Sequence, residues 1–254
     1  MSLTLSSDYM TATDFLIYSA PSNLKRFDID SAKVETTSVH DLLAAIKENC
    51  PQIELLHLKS ADGSNYSGSI DAVGHTLLNL KYMKSFVTRH PFETFNLEDS
   101  ICIWTSLEEL YLDYRSSSST NQDDTGFAPD CLRLLARHCP SLHALTLQID
   151  WTYITPEFGL NTKDKLRNLT FFDGGVIDQT LPPDKIAGIA IFLVNLAVPT
   201  AAILAEPYLD GVRPYSAEEL QPWKEVKSSM VVAVYYDMHV HDLLHRQDQE
   251  RREE

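Results

Sequence analysis

The densest group of side chains able to do chemistry lies near the C-terminal end of the sequence. Here His239, His241 and His245 stand close to Asp237 and Asp242. On a helix, His241 and His245 would share one face, as pairs of zinc ligands do. No glutamate lies between them to act as a base, and zinc sites normally need three or four converging ligands. The pattern therefore favours a solvated helix end, and a metal-dependent enzyme using these histidines is kept only as an alternative.

The cysteines offer little further chemistry. Cys50, Cys102, Cys131 and Cys139 contain no Cys-x-x-Cys pair, and two of them occupy equivalent places ahead of a proline. This spacing indicates packed, reduced thiols, as in cytosolic or nuclear proteins. The chain also has no phosphate-binding glycine motif and no Gly-x-Ser-x-Gly nucleophile elbow. We therefore predict no enzyme, no catalytic residue, no metal and no cofactor, and a cytoplasmic or nuclear location.

The elements that position any functional residue are indicated by a ladder of apolar residues, Leu-x-x-Leu-x-Leu. It returns about every thirty residues, with other apolar residues in some places. The best copies begin at Ile53, Leu107, Leu142 and Leu166, and weaker ones at Leu24, Leu77 and Val198. Recurrence at this period is typical of leucine-rich repeats, in which each unit supplies one strand and one helix. We predict an α/β leucine-rich-repeat solenoid, with a curved parallel sheet inside and helices outside.

Two stretches between ladders carry the same helix signals, three units apart. Ser38 and Asp41 resemble an N-terminal cap, and Pro51 should end the helix that follows. Pro129 can open a second helix, which should end at Cys139 and Pro140. The pattern of helix-starting and helix-ending residues that these two stretches share supports a repeating unit.

The segment from Ile186 to Ala205 has no charged residue and the length of a membrane span. Asn195 and Pro199 interrupt it, however, and no basic cluster flanks it. We predict a buried helix from Ile186 to Leu196 and a strand from Thr200 to Leu204, with no membrane contact; a membrane anchor remains the alternative.

Beyond the last ladder the spacing of apolar residues changes to that of a single helix. Ser216 and Glu219 form a capping box, followed by apolar residues on one helical face, namely Leu220, Trp223, Val226 and Met230. This predicts a helical cap that closes the array. The predicted organisation is an N-terminal segment at 1–20, disordered or capping, the solenoid at 21–212, the cap at 213–245 and a frayed tail at 246–254.

Charge limits the class of partner. The formal net charge is −15, which disfavours binding to nucleic acid or anionic membranes. The polar run 116–124, rich in serine, predicts a surface loop and a candidate phosphorylation site. A protein partner is the class of ligand that such a chain would bind.

One stretch supports a closer resemblance. The segment from Leu132 to Leu147, with Cys139-Pro140 before its ladder, resembles the cysteine-containing subtype of leucine-rich repeat. That subtype is typical of F-box/leucine-rich-repeat proteins, and the C-terminal region is similar to the ends of fungal members. The resemblance implies repeats that select a ubiquitin-ligase substrate, with an F-box bound to a cullin-type ligase adaptor. Residues 1–20 are too short for an F-box, so the adaptor is an expected partner only if an F-box lies upstream. The other expectation is a stand-alone scaffold unrelated to ubiquitination.

In a strand, side chains alternate between the two faces, so residues between ladder positions should line the concave surface. We predict that this surface binds the partner, with Trp151 and Tyr153 on its rim. The predicted partner-binding residues are Arg26, Asp28, His57, Lys59, Lys81, Glu109, Tyr111, Asp113, Gln148, Thr170 and Phe172.

Overall fold

A computed structural model describes residues 1–31, 36–60, 80–88, 101–112, 126–154, 165–196, 202–203 and 216–234. Within these ranges the strands form one eight-stranded parallel sheet, in which every strand lies next to its neighbour in sequence. The strands are β1 (Ser2–Ser6), β2 (Arg26–Ser31), β3 (Leu55–Ser60), β4 (Ser85–Thr88), β5 (Glu109–Leu112), β6 (Ala144–Thr146), β7 (Phe171–Asp173) and β8 (Ala202–Ile203). The chain is therefore an α/β protein, as predicted.

Helices pack against one face of this sheet. They are α1 (Tyr9–Ser19), α2 (Thr36–Asn49), α3 (Asp130–His138), α4 (Pro183–Leu196) and α5 (217–234), with a 3₁₀ turn at Trp151–Tyr153. Their buried side chains and the inward-facing strand residues belong to a single apolar cluster. Burial of this cluster is the main force that holds strands and helices together. None of the helices in these ranges is long and apolar enough to cross a membrane.

A recurring turn precedes the strands and sets their register. The amide of Ile53 donates to the carbonyl oxygen of Cys50 at 3.2 Å, and that of Leu142 donates to Cys139 at 3.1 Å. The same bond joins four other pairs, Leu24 to Pro21, Met83 to Leu80, Leu107 to Trp104, and Leu169 to Leu166. Each turn is followed by a strand of the same sheet, so the unit recurs in structure as well as in sequence.

The predicted ladder positions match the register of the strands in four units, and in three units they are displaced along the sequence. Strand pairing aligns the second ladder position through Phe27, Leu56, Phe86, Leu110, Leu145, Phe172 and Ile203. The ladders beginning at Leu24, Ile53, Leu107 and Leu142 are confirmed. The predictions beginning at Leu77, Leu166 and Val198 are wrong in register. Leu80 and Leu166 sit in the turn rather than in a strand, and they are as buried as ladder residues, so an apolar pattern cannot tell the two positions apart.

Most helix signals are confirmed. Helix α2 ends at Asn49, ahead of Pro51, but it begins at Thr36 instead of after Ser38. Helix α3 follows Pro129, and α4 ends at Leu196 as predicted but begins at Pro183 instead of Ile186. Strand β8 covers Ala202–Ile203, within the predicted strand from Thr200 to Leu204. At the start of α5 the amide of Ser216 donates to Glu219 at 2.6 Å, and the amide of Glu219 donates to the Ser216 hydroxyl at 3.2 Å. This is the predicted capping box.

Helix α5 closes the described core through an aromatic cluster. Trp223 packs edge-on against Trp151 and Phe172, with ring centroids 5.9 and 6.2 Å away. Its indole nitrogen donates to the carbonyl oxygen of Gly175 at 2.8 Å. Trp151, predicted on a rim, is buried and donates to Gly174, whereas Tyr153 is exposed.

The first unit starts earlier than predicted. Residues 2–19, expected to precede the repeats, form β1 and α1, and β1 pairs with β2 in register from Ser2 with Arg26 to Ser6 with Asp30. Asp8 caps α1 by accepting a hydrogen bond from the amide of Thr11 at 2.7 Å. Residues 1–20 therefore contribute a complete strand–helix unit.

Candidate binding surface

The sheet has a helix-covered face and an opposite face, here called the second face. The alternating side chains of each strand define it, beginning in β2 with Arg26, Asp28 and Asp30, whose neighbours Phe27 and Ile29 are buried in the core. Strand pairing extends it along two rows. The first row is Ser2, Arg26, Leu55, Ser85, Glu109, Ala144 and Phe171, and the second is Thr4, Asp28, His57, Val87, Tyr111, Thr146 and Asp173.

Asp28 is the centre of a polar network on this face. Its carboxylate lies 2.6 Å from Nε of Arg26 and 2.6 Å from Nδ1 of His57, on two different oxygens. The hydroxyl of Thr4 also lies within 3.5 Å of it. Hydrogen bonds to an ionised carboxylate are the stronger kind in proteins. Asp28 thereby ties β1, β2 and β3 together outside the core.

The network continues across β4 and β5. Nε2 of His57 lies 3.1 Å from the hydroxyl of Ser85, and that hydroxyl lies 2.9 Å from Oε2 of Glu109. The other oxygen of Glu109 is 3.5 Å from Nε2 of His143. A chain of polar contacts therefore runs from Arg26 to His143 over four strands and the start of a fifth.

The number of available hydrogens shows how this series of polar contacts responds to protonation of His57. A carboxylate can only accept, so Nδ1 of His57 must carry a hydrogen and Nε2 of the neutral ring must accept. Ser85 has one hydrogen for two acceptors, Nε2 and Glu109. Protonation of His57 would turn Nε2 into a donor and leave the Ser85 hydrogen to Glu109. Burial, which outweighs the attraction of Asp28, lowers the pKa of His57 and favours the neutral ring.

Asp28, His57 and Ser85 follow the order of an acid–base–nucleophile triad, but their setting differs from that of a catalytic site. Ser85 has an exposed fraction of only 1%. Its hydroxyl is shared with Glu109, and its amide donates to the carbonyl oxygen of Glu54 instead of facing a developing oxyanion. These contacts suit a structural polar network.

The second face turns apolar toward its later strands. Val87, Tyr111, Ala144 and Phe171 form a cluster of buried residues separate from the main core. The rings of Tyr111 and Phe171 lie with centroids 6.2 Å apart. The accessible part of the second face is consequently its beginning, where Ser2, Thr4, Ser6, Arg26 and Asp30 are exposed.

Alternating charges border the start of the strands. Glu54 lies 2.6 Å from Nζ of Lys25 and 3.1 Å from Nζ of Lys84, with one carboxylate oxygen toward each. The two lysines lower the pKa of Glu54, and Glu54 together with Glu108 raises the pKa of Lys84. Lys25 is exposed and Glu54 and Lys84 are partly exposed to solvent, so the pairs add little to stability. Their effect is to leave the edge of the sheet where the strands begin without an excess of either charge.

The predicted binding residues divide between this surface and other places. Arg26, Asp28, His57, Lys59, Glu109 and Tyr111 lie on the second face, although Tyr111 is buried. Asp113 lies outside the described residues. The remaining predicted residues are Lys81, Gln148, Thr170 and Phe172.

Four placements on the strands were wrong. Lys81 lies in the turn before β4, and Phe172 is buried on the helix-covered face because the β7 ladder is displaced. Thr170 precedes β7, where its hydroxyl donates to the carbonyl oxygen of His143 at 3.0 Å. Gln148 lies beyond β6, and its side chain bonds both the amide and the carbonyl of Val176.

Sequence reasoning missed Thr4, Ser85 and His143 in the network, and Val87, Ala144 and Phe171 in the apolar cluster. Ser85, Val87 and Phe171 were missed because their strands were placed in the wrong register. His143 directly follows a correctly placed ladder leucine, at the position that Lys25, Glu54 and Lys84 hold in earlier units. Comparing that position between units would have found it.

Residues 235–254, with the three clustered histidines, lie outside the described residues. In the part of the chain that the structure describes, no group of three or more His, Cys, Asp or Glu side chains is arranged to hold a metal. No protein-family model matches this chain, and no curated protein is significantly similar to it in sequence.

Proposed function

We propose that this chain is a leucine-rich-repeat protein that binds a protein partner through the beginning of the second face, over β1, β2 and β3. The supporting observation is the division of that face. Its later part holds a buried apolar cluster, whereas its first part is polar, includes exposed residues and is organised around Asp28. A sheet with helices packed on one face leaves the other available for recognition, as in repeat proteins generally.

The chemistry of this surface suits a protein surface of mixed charge. Arg26 and Asp30 are exposed, and Lys59 pairs in register with Asp30 from the next strand. Both signs of charge therefore lie close together. The net charge of −15 disfavours a polyanion. Charges of both signs at a protein interface select the partner and its orientation.

Rigidity also supports a recognition role. Arg26 is held by two hydrogen bonds to Asp28, from Nε at 2.6 Å and from Nη2 at 3.3 Å. A side chain held before binding loses less conformational entropy in the complex. Arginine is also enriched among the residues that dominate binding energy. Arg26 is thus the best anchor on this surface.

The leucine-rich-repeat assignment rests on the ladder together with the recurring turn before each strand. The resemblance of the Leu132–Leu147 unit to cysteine-containing repeats extends the proposal to substrate selection for a cullin-type ubiquitin ligase. Cys139 fits that resemblance: it is buried, and its thiol lies 3.4 Å from the carbonyl oxygen of Trp104 in the preceding unit. A stand-alone scaffold is the other form of the same binding function.

The test compares variants with matched charge changes. Lys59→Glu reverses a charge on the second face, and Lys47→Glu makes the same change on the exposed side of α2. Each tagged protein is used to capture partners from cells, and recovered proteins are quantified by mass spectrometry. A candidate partner is then purified, and its affinity for each variant is measured by calorimetry.

We expect a partner that binds wild type and Lys47→Glu equally and binds Lys59→Glu at least about tenfold more weakly, because one reversed interface charge costs more than 1.4 kcal/mol. Recovery of the ligase adaptor with it would support substrate selection; its absence would favour a scaffold. A partner whose affinity is lowered by Lys47→Glu and not by Lys59→Glu would place binding on the helices and overturn the proposal.

A further inference from the structure

Strand β1 is an edge strand of the sheet that the described residues form. Among the described residues β1 pairs with β2 alone. Its sequence, Ser2-Leu3-Thr4-Leu5-Ser6, contains no charge and no proline. Natural proteins usually protect an exposed edge strand with charged residues, proline or a bulge, because free backbone groups there pair with other strands. β1 carries none of the residue types that prevent such pairing.

The apolar core is also incompletely closed at this end. Leu3 and Leu5 face the core but remain partly exposed, whereas Phe27 and Ile29, their partners in β2, are buried. In α1, Met10 is 62% exposed, Ile17 53% and Tyr18 87%. The end unit of a repeat array normally presents a polar outer surface. In the first unit described, these large apolar side chains are exposed beside Asp14.

The sequence of β1 reads the same in both directions. If two copies paired antiparallel around a two-fold axis at Thr4, Ser2 would lie opposite Ser6, and Leu3 opposite Leu5. Directly opposite residues in an antiparallel pair lie on the same face of the sheet. The leucines of both copies would then meet on the core side, and the hydroxyl residues on the second face.

We propose that β1 is a self-association site, at which a second copy of this chain adds its own β1 in antiparallel pairing centred on Thr4. The interface is isologous, as two-fold dimers require. It joins the two sheets and brings Leu3 and Leu5 of both copies together on the core side.

Charge supports a second copy as the occupant. Pairing of β1 with itself sets no like charges opposite each other, which is the usual obstacle to self-pairing in an acidic protein. The net charge of −15 per copy repels at longer range, and salt screens that repulsion. Dimerisation should therefore strengthen as ionic strength rises, in contrast to an association based on charge pairing.

Site-specific crosslinking tests the register. In a Cys102→Ser background, which removes the exposed thiol, Thr4→Cys should place two thiols opposite each other across the axis. Opposite residues have Cα atoms about 4.5–5.5 Å apart, within the reach of a disulfide. Ser6→Cys is the matched control, because two copies of residue 6 would lie four residues apart along the strand, roughly 13 Å.

We expect wild type to sediment as a dimer at raised protein concentration, and Thr4→Cys to form a covalent dimer under mild oxidation. Ser6→Cys alone should not crosslink, whereas the double variant Ser2→Cys with Ser6→Cys should. Thr4→Lys should shift the protein to monomer without changing its circular dichroism, since Thr4 is exposed. Ser228→Lys adds the same charge on α5 and should leave the dimer intact.

Two results would overturn this assignment. One is a wild-type protein that stays monomeric at every concentration and salt level. The other is a dimer in which Thr4→Cys crosslinks no faster than Ser6→Cys. Lys59 lies in β3 and takes no part in the pairing of β1, so Lys59→Glu tests partner binding and the cysteine variants of β1 test self-association by different readouts.

Discussion

The imidazole Nδ1 of His57 lies 2.6 Å from Oδ1 of Asp28, so the two residues bridge β2 and β3 on the face of the sheet opposite its helices. Two effects compete at this contact. The carboxylate favours a protonated ring, whereas burial of the ring opposes its charge more strongly and lowers its pKa. The contact therefore holds the ring of His57 in its neutral form more readily than water would.

This lowered pKa predicts a specific pH dependence of stability. In the unfolded chain His57 takes up a proton near its ordinary pKa of 6.5, whereas in the folded protein it does so only at lower pH. The stabilising contribution of neutral His57 is fully present above pH 6.5. It is lost as the pH falls toward the pKa of His57 in the folded protein. We expect His57→Gln to lose less stability than wild type below pH 6.5, measured by urea unfolding at several pH values. His138→Gln is the comparison, and a His57→Gln profile parallel to wild type would contradict the assignment.

Ser85→Ala should destabilise the protein by about 1–3 kcal/mol, because it leaves Nε2 of His57 and Oε2 of Glu109 without their shared buried donor. The free energy of unfolding, from denaturant titration, measures this. Ser228→Ala, at an exposed site, should change stability by less than about 0.5 kcal/mol. Equal effects of the two changes would show that the Ser85 hydroxyl does not support the network.

Gly174→Ala should also destabilise, by about 1–3 kcal/mol, because a Cβ atom there would lie 2.8 Å from Trp151 and 3.0 Å from Trp223. The chemical-denaturation midpoint reports the loss. Combining the change with Trp223→Leu should cost somewhat less than the sum of the two separate losses, since one of the three rings that a Cβ atom would meet is gone. Additive losses would mean that Gly174 is not limited by the contact with Trp223.

Thiol alkylation should distinguish the cysteines. Burial raises the pKa of Cys50 to about 11 and that of Cys139 to about 12, so both stay protonated at neutral pH. Cys102 is exposed, and Cys131 is buried. We expect iodoacetamide to modify Cys102 first in the folded protein, with peptide mass spectrometry locating the label. Early labelling of Cys50 or Cys139 would contradict the packing of these turns.

Local signals predicted the ends of the helices well. The capping box at Ser216 and the proline after Cys50 act over a few residues, and the structure has a helix beginning after the first and ending before the second. The ladder register failed where Leu80 and Leu166 fill the turn, since turn and strand positions are equally apolar and equally buried there.

The binding surface was harder to predict for a physical reason. Its contacts join residues about one repeat apart, so an error of a few residues in one strand moves every side chain of that strand. Phe172 was expected on the second face, yet its neighbour Phe171 occupies it. The contact of Ser85 with both His57 and Glu109 depends on three strands in correct register, which the pattern of single residues does not determine.

The order of the strands has a consequence for how the chain folds. Because each strand lies beside the one that precedes it in the chain, every pairing closes a loop of only about thirty residues. The entropy of closing such loops is lost in many modest steps instead of one large step. Order can consequently spread from any unit to its neighbours, and one end of the sheet can open while strands at the other keep their partners.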